Sequence, residues 1–218
     1  MTEHNGHRSI EGRHCPRGIA DLDNLLEACA SLHHHLCPRQ VLGVRMGLLA
    51  GRWLGLPTPQ TDKRMLVIME TYGCAADGVS VASGCWVGRR TMRILDFGKV
   101  AATFVDTLTA RAVRIAPRAD SRQQALYYAP DARERWQAYL IGYQRVPDSE
   151  LFKTEEVVLN VSLASLLSRE GYRVRCQVCG EEVFNQREVC LHGLTLCRAC
   201  AGESYYEPSR PVITVSEV

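Results

Sequence analysis

Two C-x-x-C pairs towards the end of the chain constrain its fold more than any other feature. Cys176 and Cys179 form the first pair, Cys197 and Cys200 form the second, and 17 residues lie between the pairs. This spacing is typical of a small module in which four thiolates hold one structural Zn²⁺ ion. About thirty residues bury too little apolar surface to fold alone, so we expect the metal to stabilise this module.

The residues around the two pairs predict how the module folds. Gly180 follows the first pair and supplies the positive φ that such a knuckle requires. Residues 182–184 and 189–196 are expected to form a hairpin around Gly193, and Cys197 is expected to open a short helical turn. This order of knuckle, hairpin and helix resembles a treble-clef finger. Cys190 and His192 lie between the pairs, and either could replace one cysteine as the fourth ligand.

Length and composition indicate two unequal domains without a nucleic-acid partner. The chain has 218 residues, 46% hydrophobic and 23% charged, and a net charge of +2, which gives no electrostatic reason to bind a polyanion. We assign residues 1–170 to an α+β core domain, residues 171–206 to the finger and residues 207–218 to a tail. The boundary is placed at Gly171.

The sequence predicts a cytoplasmic protein without a membrane anchor. The N-terminal stretch is polar and lacks the apolar segment of a secretory signal. The longest apolar helical stretch, residues 41–56, is interrupted by Arg45 and Arg52 and is shorter than the roughly 20 residues that span a bilayer. Ten cysteines in such a chain are expected to be metal ligands or reactive thiols, because the cytoplasm keeps thiols reduced.

The core domain opens with two predicted helices. The first begins near Asp21 or Asp23 and ends at Leu32, and the second begins at Pro38 and ends near Leu54. Glycines recur every fourth residue along the second helix, which predicts close approach of another backbone: Gly43, Gly47 and Gly51. The remaining predicted elements are strands over 65–70, 90–95, 101–106 and 111–115, and helices over 75–83, 132–143 and 149–168. Their order predicts a mixed sheet covered by helices.

A histidine and cysteine stretch at the start of the second helix is the first candidate for chemistry. In extended chain the side chains of His33, His35 and Cys37 point to one side, and imidazole with thiolate suits Zn²⁺ or another borderline or soft metal. Cys37 is also predicted at the helix N-cap, where the dipole and free N–H groups favour a thiolate. It is therefore either a ligand or a nucleophile.

A second stretch repeats this arrangement after the predicted strand over 65–70. Cys74 opens a helix that carries Asp77 in its first turn, and Cys85 follows the end of that helix. Because ligands gather at the ends of strands in such sheets, we expect Cys37 and Cys74 to share one site, with Cys85 as a further candidate ligand. Cys15 and Cys29 are interpreted as inert small hydrophobes.

Read in order, these residues resemble the FmdE family, named after the E subunit of molybdenum or tungsten formylmethanofuran dehydrogenases. The family pattern is approximately His-Gly-His-x-Cys-Pro-Gly, Cys-x-x-Asp-Ala, Gly-Cys-Thr-x-Gly-Lys and Asp-Tyr-Gly-Lys. In this chain the four segments occupy residues 33–39, 74–78, 84–89 and 96–99. Several positions depart from the pattern, among them His34, Arg39, Gly78, Trp86 and Arg89. The metal-binding positions are retained, so the site can survive with a different pocket shape.

The resemblance implies a thioredoxin-like core with a mixed, five-stranded sheet, a treble-clef zinc finger and a homodimer. It also implies an accessory metal-binding protein of a molybdenum- or tungsten-pterin oxidoreductase, with Lys99 and Asp77 as candidate cofactor-binding residues. Two alternatives stay open: a thiol-dependent enzyme that uses Cys37 or Cys74, and an interaction module in which the finger docks a partner. Whether the protein is an enzyme is left open.

Overall fold

The computed structural model describes residues 22–167, 171–207 and 209. They divide into two compact units, one up to Asn160 and one from Val161 onward. The domain boundary expected from the sequence lies ten residues later, at 170 against 160. Within the described part of the chain no helix has the length and apolar character needed to cross a membrane. Cys15 and the C-terminal tail assigned from the sequence lie almost wholly outside the described residues.

The first unit alternates helices and strands. Its helices are α1 (Leu22–His33), α2 (Pro38–Leu54), α3 (Cys74–Ser83), α4 (Ser121–Tyr127), α5 (Arg135–Arg145) and α6 (Asp148–Leu151). Its strands are β1 (Met65–Met69), β2 (Met92–Ile94), β3 (Ala102–Asp106), β4 (Ala112–Pro117) and β5 (Phe152–Val157). Pro38 begins α2 as predicted, since proline fits the first helical turn.

The five strands form one mixed sheet in the order β2-β1-β3-β4-β5. Strand β1 runs parallel to β2, with Val67 opposite Met92, and antiparallel to β3, with Val67 opposite Phe104. The β3 and β4 pair and the β4 and β5 pair are also antiparallel. The predicted α+β class and mixed five-stranded sheet are therefore confirmed.

One face of this sheet packs against the helices and holds the main core. Met65, Val67 and Met69 alternate along β1 and belong to the same buried cluster as Phe104 of β3 and Val113 of β4. Helix α2 contributes a set of fully buried side chains to this cluster: Val41, Val44, Met46 and Ala50. Because α2 is buried along most of its length, it is the central helix of the unit.

The glycines of α2 lie where that helix meets α3. A Cβ atom on Gly43 would lie 2.8 Å from the backbone N of Val79 and closer still to the carbonyl oxygen of Ala75. A Cβ atom on Gly47 would lie 2.7 Å from the Cβ atom of Ala82. Because a Cβ atom does not fit at these distances, only glycine allows the two helices to approach so closely. The predicted backbone contact is confirmed at these two glycines, whereas Gly51 meets Thr58 of the following loop instead.

The helix predicted over residues 149–168 is wrong. Within this range the structure has strand β5, which pairs with β4 from Ala112 opposite Val157 to Pro117 opposite Phe152. The Lys and Glu residues of this segment favour a helix locally, but β4 would otherwise present an unpaired edge. A cross-strand ion pair of 3.8 Å between Arg114 and Glu155 adds to the pairing. A helix resumes only at α7 (Leu163–Leu167), in the second unit.

The second unit contains two small hairpins. Strands β6 (Arg173–Arg175) and β7 (Glu182–Phe184) pair around the first C-x-x-C sequence, and β8 (Val189–Leu191) and β9 (Leu194–Leu196) pair around Gly193. The predicted hairpin at Gly193 is present, but the expectation that residues 182–184 belong to it is wrong. A helical turn over Ala199–Glu203 follows Cys197.

Candidate metal sites

The contact between α2 and α3 determines where Cys37 and Cys74 lie. Gly43 meets Gly78, and Gly47 meets Ala82, so the two helices run in the same direction with the same spacing. Cys37 is the N-cap residue of α2, and Cys74 is the first residue of α3. The packing therefore places the two cysteines side by side, where the positive ends of both helix dipoles meet.

The two thiols lie close enough to affect each other's ionisation. Burial raises the pKa of the Cys74 thiol, and hydrogen bonding to the Cys37 thiol raises this pKa further. Both side chains remain partly exposed to solvent. The two cysteines thus lie at adjoining helix starts, and the metal site that they are expected to share stays a prediction.

Gln40, which sequence reasoning did not single out, fixes the position of Cys37. Its side-chain oxygen accepts a hydrogen bond of 2.8 Å from the backbone N–H of Cys37, and its side-chain nitrogen donates one of 3.0 Å to the carbonyl of Cys29. Gln40 is fully buried. This amide therefore ties the start of α2 to α1. The signal in the sequence is a glutamine three residues after an N-cap, the second half of a capping box.

Cys29 and Asp77 complete the surroundings of the pair. Burial, together with smaller effects of the nearby Asp77 and Cys37, raises the pKa of the Cys29 thiol to about 12. Asp77 lies in the first turn of α3 and is half-buried. Cys29, interpreted as inert from its helical spacing, therefore lies beneath the pair as a third, fully buried thiol.

Two further candidate residues, His35 and Lys99, are exposed to solvent. His35 is exposed in the turn before Cys37, and the side chain of His33 lies outside the described residues. Lys99 is exposed, and its backbone N–H donates to the carbonyl of Glu70, which precedes the Cys74 turn. Lys99 therefore lies at the same end of β1 as Cys74.

His34 occupies a backbone position that glycine favours. Its φ of 59° lies in the left-handed region, which histidine adopts more readily than most side chains. The family pattern has glycine at this position, so the chain keeps the turn geometry while adding an imidazole to the surface.

Cys85 lies away from the other candidate ligands. Its thiol donates to the carbonyl of Met65, at the start of β1, over 3.3 Å. Cys74 follows the other end of that strand, and the ten residues of α3 that separate the two cysteines span about 15 Å. Burial raises the pKa of the Cys85 thiol. The structure does not bring Cys85 to the site of Cys37 and Cys74.

The four cysteines of the second unit form a closed cluster. The sulfurs of Cys176, Cys179, Cys197 and Cys200 all lie within 4.8 Å of one another. Among the described residues they are the one group of three or more potential ligands that comes this close together. Tetrahedral Zn²⁺ with sulfur ligands at about 2.3 Å requires sulfurs about 3.8 Å apart. The Cys179 and Cys197 sulfurs are 3.9 Å apart, so the geometry fits such an ion.

Backbone N–H groups point at this cluster. Those of Cys179 and Cys197 lower the pKa of the Cys176 thiol to about 6, whereas the Cys197 thiol and burial raise the pKa of Cys200 to about 12. The N–H of Cys200 donates to the Cys197 sulfur over 3.4 Å. Gly180 has the positive φ expected of the knuckle, at 75°. A dication would allow all four thiols to ionise together.

The spare residues of the module lie in the second hairpin. Cys190 is an exposed residue of β8 opposite Thr195, and His192 is an exposed turn residue with a φ of 51°. Neither belongs to the four-cysteine group. The four cysteines thus converge without either spare.

A cavity of about 620 Å³ lies elsewhere in the first unit. Gly51, Leu56 and Pro57 are among its lining residues, which places it at the C-terminal end of α2, the end opposite Cys37. The charged residues in its lining are Arg52 and Asp62. It is therefore separate from the site of Cys37 and Cys74.

Comparison with known families decides the relationship that these residues suggest. The family model described as "FmdE, Molybdenum formylmethanofuran dehydrogenase operon" matches residues 32–153, more than half of the chain. The chain belongs to the FmdE family. The matched range includes Cys37, Gln40, Cys74 and Asp77, and it ends before the four-cysteine cluster.

Two individual proteins show how this FmdE chain is related to others. A probable S-adenosyl-L-methionine-binding protein of Archaeoglobus fulgidus is 29% identical over 217 aligned positions, which cover 88% of this chain and 56% of that protein. The chain thus spans about half the length of that relative. The crystal structure of a tungsten formylmethanofuran dehydrogenase FmdE-like protein from Syntrophus aciditrophicus has a TM-score of 0.54 and 21% identity, covering 88% of this chain and 98% of that one. This second similarity supports the fold.

Proposed function

We propose that this protein is a metal-binding accessory protein of a molybdenum- or tungsten-pterin oxidoreductase of the formylmethanofuran dehydrogenase type. The observation that carries the proposal is the pair of thiols at the adjoining N-termini of α2 and α3, in a chain of the FmdE family. Cys37 and Cys74 lie side by side at these helix starts, and both side chains are partly open to solvent. Such a pair can bind an ion that arrives from solution.

The residues around the pair suit a borderline or soft metal. Thiolates from Cys37 and Cys74 would be the principal ligands, Asp77 can supply a carboxylate, and His33 and His35 are the candidate imidazole ligands. This donor set favours Zn²⁺ or a related transition metal over Mg²⁺ or Ca²⁺. Gln40 holds the Cys37 backbone, and Lys99 at the same edge can attract an anion that accompanies the metal.

The second unit is proposed to be a treble-clef finger with Zn²⁺ bound by Cys176, Cys179, Cys197 and Cys200. The sulfur spacing of 3.9 Å and the knuckle glycine support this assignment. The ion is proposed to be structural, since four protein ligands leave no position for a substrate. For the first unit, the mixed sheet and the FmdE membership support a thioredoxin-like core.

The partners are proposed from the family alone. We propose a homodimer and an association with the oxidoreductase from the FmdE membership, and the family model is described by the operon of that enzyme. The finger carries exposed apolar side chains, including Phe184, Tyr205 and Tyr206, which suit it to docking another protein. Affinity purification with and without residues 172–205 addresses this part of the proposal, because an unchanged partner list would remove the docking role.

Metal analysis of three proteins tests the core site. We expect one metal ion per chain in the finger and a second in the core of the wild-type protein, and loss of the second in a Cys37→Ala, Cys74→Ala double variant. A Cys85→Ala variant is the matched control, because Cys85 is buried at the opposite end of α3 and should keep both ions. The measurement is elemental mass spectrometry after dialysis against limiting zinc. Equal metal content in wild type and double variant would refute the core site.

A second candidate function is supported by the same pair of thiols. A thiol-dependent enzyme would use Cys37 or Cys74, both at helix N-termini, as its nucleophile. Its signature would be a substrate-dependent activity lost in Cys74→Ala while the metal content stays unchanged. The accessory function predicts the opposite outcome, in which the Cys74→Ala variant has a lower metal content than the wild type.

A further inference from the structure

The helix starts that carry Cys37 and Cys74 are held side by side by the backbone. Gly43 and Gly78 face each other, and a Cβ on Gly78 would lie 2.8 Å from the backbone N of Val44. The helices that carry the two cysteines therefore cannot drift apart without losing a tight interface. Gln40 also restrains the backbone of Cys37, because its side-chain oxygen accepts a hydrogen bond from the Cys37 N–H.

Two thiols held together in this way have a chemical option besides metal binding. A disulfide needs sulfurs that can approach to about 2.05 Å with the Cα atoms at about 4.4–6.8 Å. The tight contact between α2 and α3 holds the two helix starts side by side, so that side-chain rotation can bring the two sulfurs together. Both thiols are partly exposed, so an oxidant in solution can reach them.

We propose that Cys37 and Cys74 form a reversible disulfide, and that this bond closes the core site to metal. The closing of the site to metal rests on the proposed metal-binding function, whereas the formation of the disulfide does not. The oxidant is a low-molecular-weight disulfide. A thiolate of the pair attacks one sulfur of the oxidant, which forms a mixed disulfide and releases one thiol.

The remaining cysteine completes the exchange. Its thiolate attacks the protein sulfur of the mixed disulfide, which forms the bond between Cys37 and Cys74 and releases the second thiol. Overall the protein loses two electrons and two protons, and one molecule of the oxidant becomes two thiols. A bound metal would block the first attack, because both sulfurs would already be its ligands. Oxidation and metal binding therefore exclude each other.

The test treats wild-type protein, with zinc on the finger, with oxidised glutathione and maps the new bond by mass spectrometry. Trypsin releases Cys37 in a peptide over residues 18–39 that also contains Cys29, and Cys74 in a peptide over residues 65–89 that also contains Cys85. Variants resolve this ambiguity. The crosslinked peptide pair should persist in Cys29→Ala and in Cys85→Ala, disappear in Cys74→Ser, and revert to separate peptides on reduction.

Added zinc gives the second arm of the test. At free zinc about 100 times the dissociation constant of the core site, about 1% of the protein is metal-free, so crosslinking should slow about a hundredfold. An unchanged rate would overturn the mutual exclusion. Failure to form the crosslink, although iodoacetamide labels both Cys37 and Cys74, would overturn the disulfide. A crosslink in a protein that takes up no core metal would sink the proposed function and leave the disulfide standing.

Discussion

The carboxylate of Asp106 organises the turn after β3. It accepts hydrogen bonds of 3.1 and 3.0 Å from Arg64, and further bonds from the N–H of Leu108 and the hydroxyl of Thr109. Its side chain is almost fully buried. The bonds from Arg64 are the first cause that lowers the pKa of Asp106 to about 2.

Replacing Asp106 by Asn should destabilise the protein in a pH-dependent way. A carboxyl whose pKa is lower in the folded state contributes stability above its unfolded pKa of about 3.9, and this contribution disappears as the pH falls through about 2. Because Arg64 is partly exposed, we expect a loss of about 1–2 kcal/mol at pH 7.

Urea denaturation of wild type and Asp106→Asn at several pH values checks this expectation. The difference in the free energy of unfolding should be constant above about pH 5 and should shrink towards pH 2. An Asp120→Asn variant serves as the comparison, because Asp120 pairs with Arg118 at the surface and should matter little. A constant difference at all pH values would assign the effect to lost packing rather than to charge.

The residues at the candidate site show what sequence can predict. Cys37 and Cys74 could be predicted from the sequence, because the residues next to each of them signal the start of a helix. Cys29 could not, since its place beside the pair depends on a contact between α1 and α2 across eleven residues, whereas Gln40 carries the local signal of a capping box. Cys85 is near the pair in sequence, but the length of α3 carries it to the other end of β1.

The interface between α2 and α3 should be the least tolerant part of the first unit. In Gly43→Ala the added Cβ would clash with the backbone of α3, which is rigid, so the helices must separate. We expect a loss of about 1–3 kcal/mol in the free energy of unfolding, as overpacked cores show. Because the separation also moves the two sulfurs apart, crosslinking by oxidised glutathione should fall in parallel.

Gly88→Ala is the control for the Gly43→Ala variant. A Cβ at Gly88 meets no atom within 4 Å, so its stability should stay within about 0.5 kcal/mol of wild type. Thermal and urea unfolding provide the measurement. If Gly43→Ala were as stable as Gly88→Ala, the close approach of the two backbones would be contradicted.

Sequence patterns predicted elements well where the signal was local. The helix start at Pro38, the glycine contact and the buried strand after residue 64 all follow from residue types within one segment. Strand β5 could not be predicted in this way, because its Lys and Glu residues resemble an exposed helix. Only the edge of β4, formed by residues about forty positions earlier, makes that segment a strand.

At the scale of the whole molecule, the two units differ in how they are stabilised. The first has an extended apolar core of buried aliphatic and aromatic side chains. The buried core of the second consists of Cys176, Val183 and Leu196, with Cys197 and Cys200 packed against it. Since several of these residues are the cysteines of the cluster, the second unit has little apolar surface to hold it together without an ion.

Metal removal should therefore unfold the second unit selectively. After treatment with a strong chelator we expect hydrogen exchange to become rapid in the amides of β6 to β9, while β1, β3 and α2 keep their protection. Exchange monitored by mass spectrometry, with and without restored zinc, gives the measurement. Rapid exchange in β1 after chelation, or none in β7, would contradict independent stabilisation of the two units.

The contact between Gly43 and Gly78 has a consequence for how such a site can diversify. Because backbone contacts hold the two helix starts together, the side chains around the thiols can change without moving those starts. His34 and Arg39, which stand where the family pattern has glycine, are changes of this kind. Relatives can thus acquire new ligand preferences while inheriting an unaltered pair of sulfurs.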